Sequence, residues 1–138
     1  VPLSGRARFP TDAALTQRLQ RAPLDVLADA PATLGPESMR AFGIKAPAVH
    51  TGLVVSGDRF VATSAESAIL RALLPEALAV EMEGAAVAQV CFDAQVPCAV
   101  LRVVSDRADD SAHVDFPAFM REVARRYCGA IVSRYLRF

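Results

Sequence analysis

Apolar and polar positions along the chain switch between two periods. Leu15 and Leu19 recur one helical turn apart behind Thr11, a residue suited to a helix N-cap, with Asp12 in the first turn. That spacing predicts a helix to about Arg21, ended by Pro23. From Ala22 to Pro47, prolines, glycines and small residues predict a long irregular excursion, with a short helix near Glu37–Phe42. Order returns at Ala48–Ser56, β-branched and apolar, ended by the turn pair Gly57-Asp58. Thr63-Ser64-Ala65-Glu66 is a capping-box pattern opening a helix through Ile69, Leu70, Leu73 and Leu74 and closing at Pro75.

A short strand over Ala77–Met82 and a helix over Gly84–Ala94 follow, the helix rich in small residues that permit close packing on a sheet. Cys98–Val104 is a nearly continuous apolar run, the pattern of a strand buried on both faces. A polar loop, Ser105–Val114, leads to an amphipathic helix capped by Asp115, with Pro117 in its first turn. Its stripe is Phe116, Met120, Val123, Tyr127, Ile131 and Tyr135. Strand, helix, strand, helix, strand, helix predicts an α/β fold with a mainly parallel or mixed sheet flanked by helices.

Composition narrows the class. The chain has 138 residues, 53% of them hydrophobic and 22% charged, enough apolar surface for one packed domain and too little charge for a disordered one. Its 15 basic and 15 acidic side chains cancel without forming a basic run, which argues against a nucleic-acid partner or a polybasic membrane patch. The longest near-apolar run, Val96–Val104, is interrupted by Arg102 and too short to span a bilayer. The chain opens Val1-Pro2-Leu3-Ser4-Gly5, without the charged and apolar regions of a secretory signal and without methionine, the pattern expected of a processed, truncated or partly reported chain. Cys91, Cys98 and Cys128 are odd in number and set in apolar segments, which predicts reduced core thiols in a cytoplasmic protein.

In an open parallel sheet, ligands bind outside the carboxyl ends of the strands. Here those ends read Ser56-Gly57-Asp58-Arg59-Phe60-Val61, Glu81-Met82-Glu83-Gly84 and Ser105-Asp106-Arg107-Ala108-Asp109. Each polar group also has a bland role. Glu83 suits the first turn of its helix, where the dipole favours an acid. Glu81, inside a buried strand, suits a structural ion pair with Arg102. Asp106 suits a turn cap, and Phe60 suits a core. His113 in the polar loop and His50 in a strand lack cysteines or acids at metal-ligand spacing, and no nucleophile elbow, P-loop or dinucleotide fingerprint occurs.

Together, Gly52–Val61, Ala79–Cys91 and Arg102–Asp106, with His113 and Phe116 following, resemble the purine nucleoside phosphorylase superfamily, and most of all its 5′-methylthioadenosine/S-adenosylhomocysteine nucleosidase branch. The likeness is good from Gly52 to about Arg126 and looser before it. The resemblance implies a phosphorylase-like three-layer fold of which residues 1–138 form a single partial, carboxy-terminal domain. It implies cleavage of an N-glycosidic bond with release of adenine. Asp106 would protonate N7 of the base, Ser105 would help orient it, and Glu83 would accept hydrogen bonds from the ribose hydroxyls. Met82 would line the ribose, Phe60 would stack on adenine, the backbone of Val61 would read its edge, and Phe116 would close the pocket. Glu81 belongs to the motif with a less defined link to ligand. No metal or organic cofactor is implied; the partners are a small purine nucleoside and, as is common in the family, a second copy of the chain.

Superfamily members are considerably longer. Their amino-terminal half, with the remaining strands, a glycine-rich loop, the acid that activates water in nucleosidases and the arginines that grip phosphate in phosphorylases, has no counterpart in these residues. The residues present therefore do not separate hydrolysis from phosphorolysis. A related nucleosidase for futalosine or a nucleotide, and a non-catalytic adenine-nucleoside-binding paralogue, stay open. A sheet edge and a large apolar face are expected to be exposed.

Overall fold

The computed structural model describes residues 5–106 and 116–137. The chain forms α1 (Ala13–Leu27), α2 (Ala30–Leu34), α3 (Pro36–Ala41), β1 (Leu53–Ser56), α4 (Ser64–Leu73), β2 (Ala77–Glu81) and α5 (Gly84–Asp93). It ends with α6 (Phe116–Phe119), a π-helical turn (Met120–Ala124) and α7 (Arg125–Tyr135).

α1 starts one residue later than expected. Asp12, not Thr11, is its N-cap, accepting the Leu15 N–H at 2.8 Å. It also passes through Pro23 to Leu27. Proline withdraws one helical N–H, but Ala22 and Pro23 are both buried, and packing of α1 against α7 keeps the axis running. Ion pairing of Arg134 with Asp25 at 2.6 Å ties the two helices at the surface.

The stretch 22–47 is more helical than its prolines suggest. Pro31 and Pro36 lie in the first turns of α2 and α3, where a missing N–H costs nothing and a fixed φ favours the helix. Gly35, with φ 82°, makes the corner between them. The Leu34 carbonyl at the end of α2 accepts from Arg126 Nη1 at 2.6 Å. The short helix expected near Glu37–Phe42 is present as α3.

β1 and β2 form a parallel two-stranded sheet, with Ser56 opposite Glu81. The described residues contain no third strand. Cys98–Val104 runs without regular structure, a correction to the expected doubly buried strand. Its burial alternates: Leu101 and Val103 pack on the helical core, whereas Arg102 points outward and Val104 is 62% exposed. A run with only one covered face lacks the flanking layers that a buried parallel strand needs.

The core is helical and lies beside the sheet: Ala22, Ala30, Leu34, Phe119, Val123, Ala124, Tyr127 and Ile131. In the last helix the expected stripe is re-phased. Phe119 is buried and Phe116 and Met120 are exposed, because the π turn inserts an extra residue before Val123 and Ala124. Asp115 and His113 lie outside the described residues. The expected apolar face is present on α4 and α5, where Leu73 is 72% and Val90 67% exposed. No described helix is long and apolar enough to cross a membrane.

Candidate functional site

Parallel pairing brings the carboxyl ends of β1 and β2 to one edge, and the turn into α5 begins there. The first N–H groups of α5 lack intrahelical acceptors, as at any helix start. Strand side chains supply them. Glu81 accepts from the Gly84 N–H at 2.7 Å and from the Glu83 N–H at 3.2 Å, and Ser56 Oγ accepts from the Ala85 N–H at 2.7 Å. The Ser56 hydroxyl in turn donates to Glu81. Gly84 lets the carboxylate come this close: a Cβ there would meet Glu81 Oε1 at 2.9 Å, so a larger residue would shift the Glu81 side chain.

Glu81 is the buried carboxylate of the site, its side chain only 4% exposed. Burial pushes its pKa up, but hydrogen bonds from Ser56, Gly84 and Glu83, with the Arg102 guanidinium 3.2 Å away, outweigh that and hold it below the ordinary value. The expected ion pair with Arg102 is therefore present. Because Glu81 caps α5, the side chain of Glu83 is not used as a cap and extends to Arg102 Nη2 at 3.0 Å. Ser105 Oγ donates to Asp106 Oδ2 at 2.6 Å.

All eight residues singled out from the sequence, Phe60, Val61, Glu81, Met82, Glu83, Ser105, Asp106 and Phe116, line one cavity of about 690 Å³. That volume is within the range of roughly 300–1,000 Å³ usual for small-molecule sites. Phe60 is 42% exposed, so it is a wall of the cavity and not part of the core. His50 precedes β1 and is exposed, outside the strand expected to hold it. Two contributors were missed from the sequence as members of the site: Ser56, which holds Glu81 and α5, and Arg102, which touches both glutamates. The register Ser56 opposite Glu81, at two strand ends, is the signal that could have found the first.

Parallel strands ending at a cavity lined by the carboxylates of Glu81, Glu83 and Asp106, the Phe60 ring and the Arg102 guanidinium define an α/β protein with a candidate small-molecule site at its strand ends. The phosphorylase superfamily model matches residues 1–137, and the chain belongs to that superfamily. Over 74 residues it is 40% identical to the 5′-methylthioadenosine/S-adenosylhomocysteine nucleosidase of Staphylococcus saprophyticus, covering 54% of this chain and 32% of the relative. The Neisseria meningitidis nucleosidase of the same name, solved with methylthio-immucillin-A, superposes with a TM-score of 0.72 at 35% identity, over 95% of this chain and 48% of that one. Futalosine hydrolase of Helicobacter pylori is similar with a TM-score of 0.64 at 29% identity, over 91% of this chain and 46% of its own. The chain thus spans about half the length of these solved structures and a third of the curated relative.

Proposed function

We propose that the chain carries the base- and ribose-binding part of a nucleosidase site that cleaves the N-glycosidic bond of 5′-methylthioadenosine and S-adenosylhomocysteine. The observation behind this reading is that Glu83 and Asp106, from consecutive segments, line the same cavity as Phe60. Breaking an N-glycosidic bond builds positive charge on the sugar and negative charge on the base. A site therefore needs a proton donor at one end and a carboxylate at the other.

In the proposed mechanism Asp106, aligned by Ser105, gives its proton to N7 so that adenine departs neutral. Glu83 accepts the ribose hydroxyls, and its hydrogen bond strengthens as the oxocarbenium character grows, as in glycoside hydrolysis. Phe60 stacks on adenine while the Val61 backbone reads its edge. Met82 lies under the ribose and Phe116 closes the mouth. Glu81 and Arg102 act through Glu83, as positioning residues. Activation of the attacking water belongs to groups other than these eight, so we expect binding by this chain with weak or no turnover. A second copy closing the cavity around the 5′-substituent completes the proposal, and sedimentation velocity would report it. The likeness to futalosine hydrolase supports a second reading, in which the 5′-substituent is the larger one of that substrate.

Calorimetry with 5′-methylthioadenosine, paired with an adenine-release assay, tests this. Saturable binding that weakens in Glu83→Gln and Asp106→Asn supports the proposal. No saturable binding of any adenine nucleoside, or binding indifferent to both substitutions, overturns it.

A further inference from the structure

We infer, on the nucleosidase reading of the cavity, that Ser56 is a positioning residue for the sugar-binding acid. Its hydroxyl touches no ligand; acting through Glu81 and Arg102, it sets the direction in which Glu83 enters the cavity.

Ser56 closes β1 directly opposite Glu81 on β2. The end of β1 grips that glutamate twice. Gly57 N–H donates to the Glu81 carbonyl at 3.0 Å, and the Ser56 hydroxyl donates to the Glu81 carboxylate at Oε1. The serine oxygen also accepts from Ala85 N–H at 2.7 Å, so it donates and accepts at once. A plain cap for α5 needs only the accepted bond. The donated one goes to a carboxylate that Gly84 N–H already straddles, at 2.9 Å from Oε1 and 2.7 Å from Oε2. With Ser56 on Oε1 and Glu83 N–H on Oε2 at 3.2 Å, that carboxylate is held against rotation.

Glu83 needs this support. Its side chain is 69% exposed and caps no helix N–H. An exposed glutamate samples several rotamers, and ordering them on binding lowers affinity. Its direction comes from Arg102 Nη2, 3.0 Å from Glu83 Oε2, and that nitrogen is itself anchored 3.2 Å from Glu81 Oε2. The order of dependence therefore runs Ser56, Glu81, Arg102, Glu83. Without the serine hydroxyl, Oε1 keeps only its share of the Gly84 N–H among the described residues. The carboxylate can then turn, and the anchor of Arg102 turns with it. The reading gives the sugar to Glu83 and the base to Phe60, Val61 and Asp106, so the two parts of the ligand report on different residues.

Calorimetry on the full chain with 5′-methylthioadenosine and, separately, with free adenine tests this. Ser56→Ala should weaken nucleoside binding about tenfold, the scale of one hydrogen bond to a charged group. Adenine binding should change by less than about twofold. Ser56→Thr, which keeps the hydroxyl, should restore most of the nucleoside affinity. In a Glu83→Gln background Ser56→Ala should cause no further loss, because the acid it directs is gone. Ser56→Cys, close in size but a weaker donor, should show an intermediate loss and replaces Ser56→Ala if that variant does not fold. Equal losses for nucleoside and adenine, or a full loss persisting in Glu83→Gln, would make Ser56 a structural cap and overturn the inference. Nucleoside binding that depends on Glu83 but not on Ser56 overturns it alone. A parent chain that binds no adenine nucleoside overturns the nucleosidase reading with it.

Discussion

Arg102 Nη2 stands 3.0 Å from Glu83 Oε2, and the same nitrogen is 3.2 Å from Glu81. One guanidinium thus joins an exposed carboxylate at the cavity to a buried one that caps α5. Arg102→Met removes this link while keeping much of the stem. The expected cost is about 2 kcal/mol, the scale of a hydrogen bond to a charged group whose partner is buried. Urea unfolding at neutral pH measures it, and a loss no larger than that of an ordinary surface substitution would show that Glu81 is held by Ser56 and α5 alone.

Glu81 also sets a pH dependence. Its folded pKa is depressed below the ordinary 4.5, with burial opposing and the hydrogen bonds of Ser56, Gly84 and Glu83 prevailing. Its contribution is therefore complete above about pH 4.5 and is lost as pH falls through the folded value, because the unfolded chain takes up the proton first. In Glu81→Gln the acid limb of the stability curve should be shallower than in the parent. Glu66, lowered by its bonds to Ala62 and Thr63, titrates in the same direction and leaves a residual slope. Denaturant unfolding at a series of pH values below neutrality checks the difference.

Thr63→Ala addresses an element read from sequence alone. The capping box expected at Thr63 and Glu66 is formed: Glu66 N–H donates to Thr63 Oγ1 at 3.2 Å, and the Thr63 hydroxyl donates to Glu66 Oε2 at 3.0 Å. Removing the cap should cost about 1 kcal/mol, measured as a shift of the urea midpoint at constant slope.

What was legible and what was not divide by the range of the forces involved. The capping box, α5 and β2 are governed by neighbours in sequence and appear within a residue of expectation, whereas β1 begins at Leu53, five residues later than expected, and keeps only its expected end at Ser56. Phe60, Val61, Glu81, Met82 and Glu83 meet on one cavity because the parallel strands β1 and β2 deliver their ends to one edge, whereas Ser105, Asp106 and Phe116 reach that cavity from outside the sheet. Pro23, Pro31 and Pro36 were misread as breaks because a proline's effect depends on its place in the helix and on what covers it. The segment Cys98–Val104 has a strand's composition, but a ladder needs neighbours, and composition does not name them. The π turn at Met120–Ala124 leaves no mark in a periodicity of three and four, so Phe119 was missed from the core.

Phe60→Ala separates the binding role from stability. An exposed ring on the cavity wall adds little to the fold, so the unfolding midpoint should hold within about 0.5 kcal/mol. Under the proposed function the same change removes the stacking surface for adenine, worth about 1–3 kcal/mol per base. Calorimetry with 5′-methylthioadenosine should show that loss in affinity. Unchanged affinity would remove Phe60 from the base site.

Tyr127 offers the opposite experiment, a deletion that should stabilise. It lies in the helical core, 5% exposed, and its hydroxyl has no hydrogen-bond partner among the described residues. A buried hydroxyl without a partner forfeits its bond to water on folding, and Tyr127→Phe removes that penalty while keeping the ring in place. The variant should be more stable by about 1 kcal/mol, read as a higher urea midpoint. Alkaline titration supplies an independent check. Burial raises the Tyr127 phenol above its ordinary 10.0, so the parent keeps this contribution below that pH and loses it as pH rises towards the folded value. Tyr127→Phe should lack that part of the alkaline decline. A destabilised variant would mean that the hydroxyl is satisfied in solution.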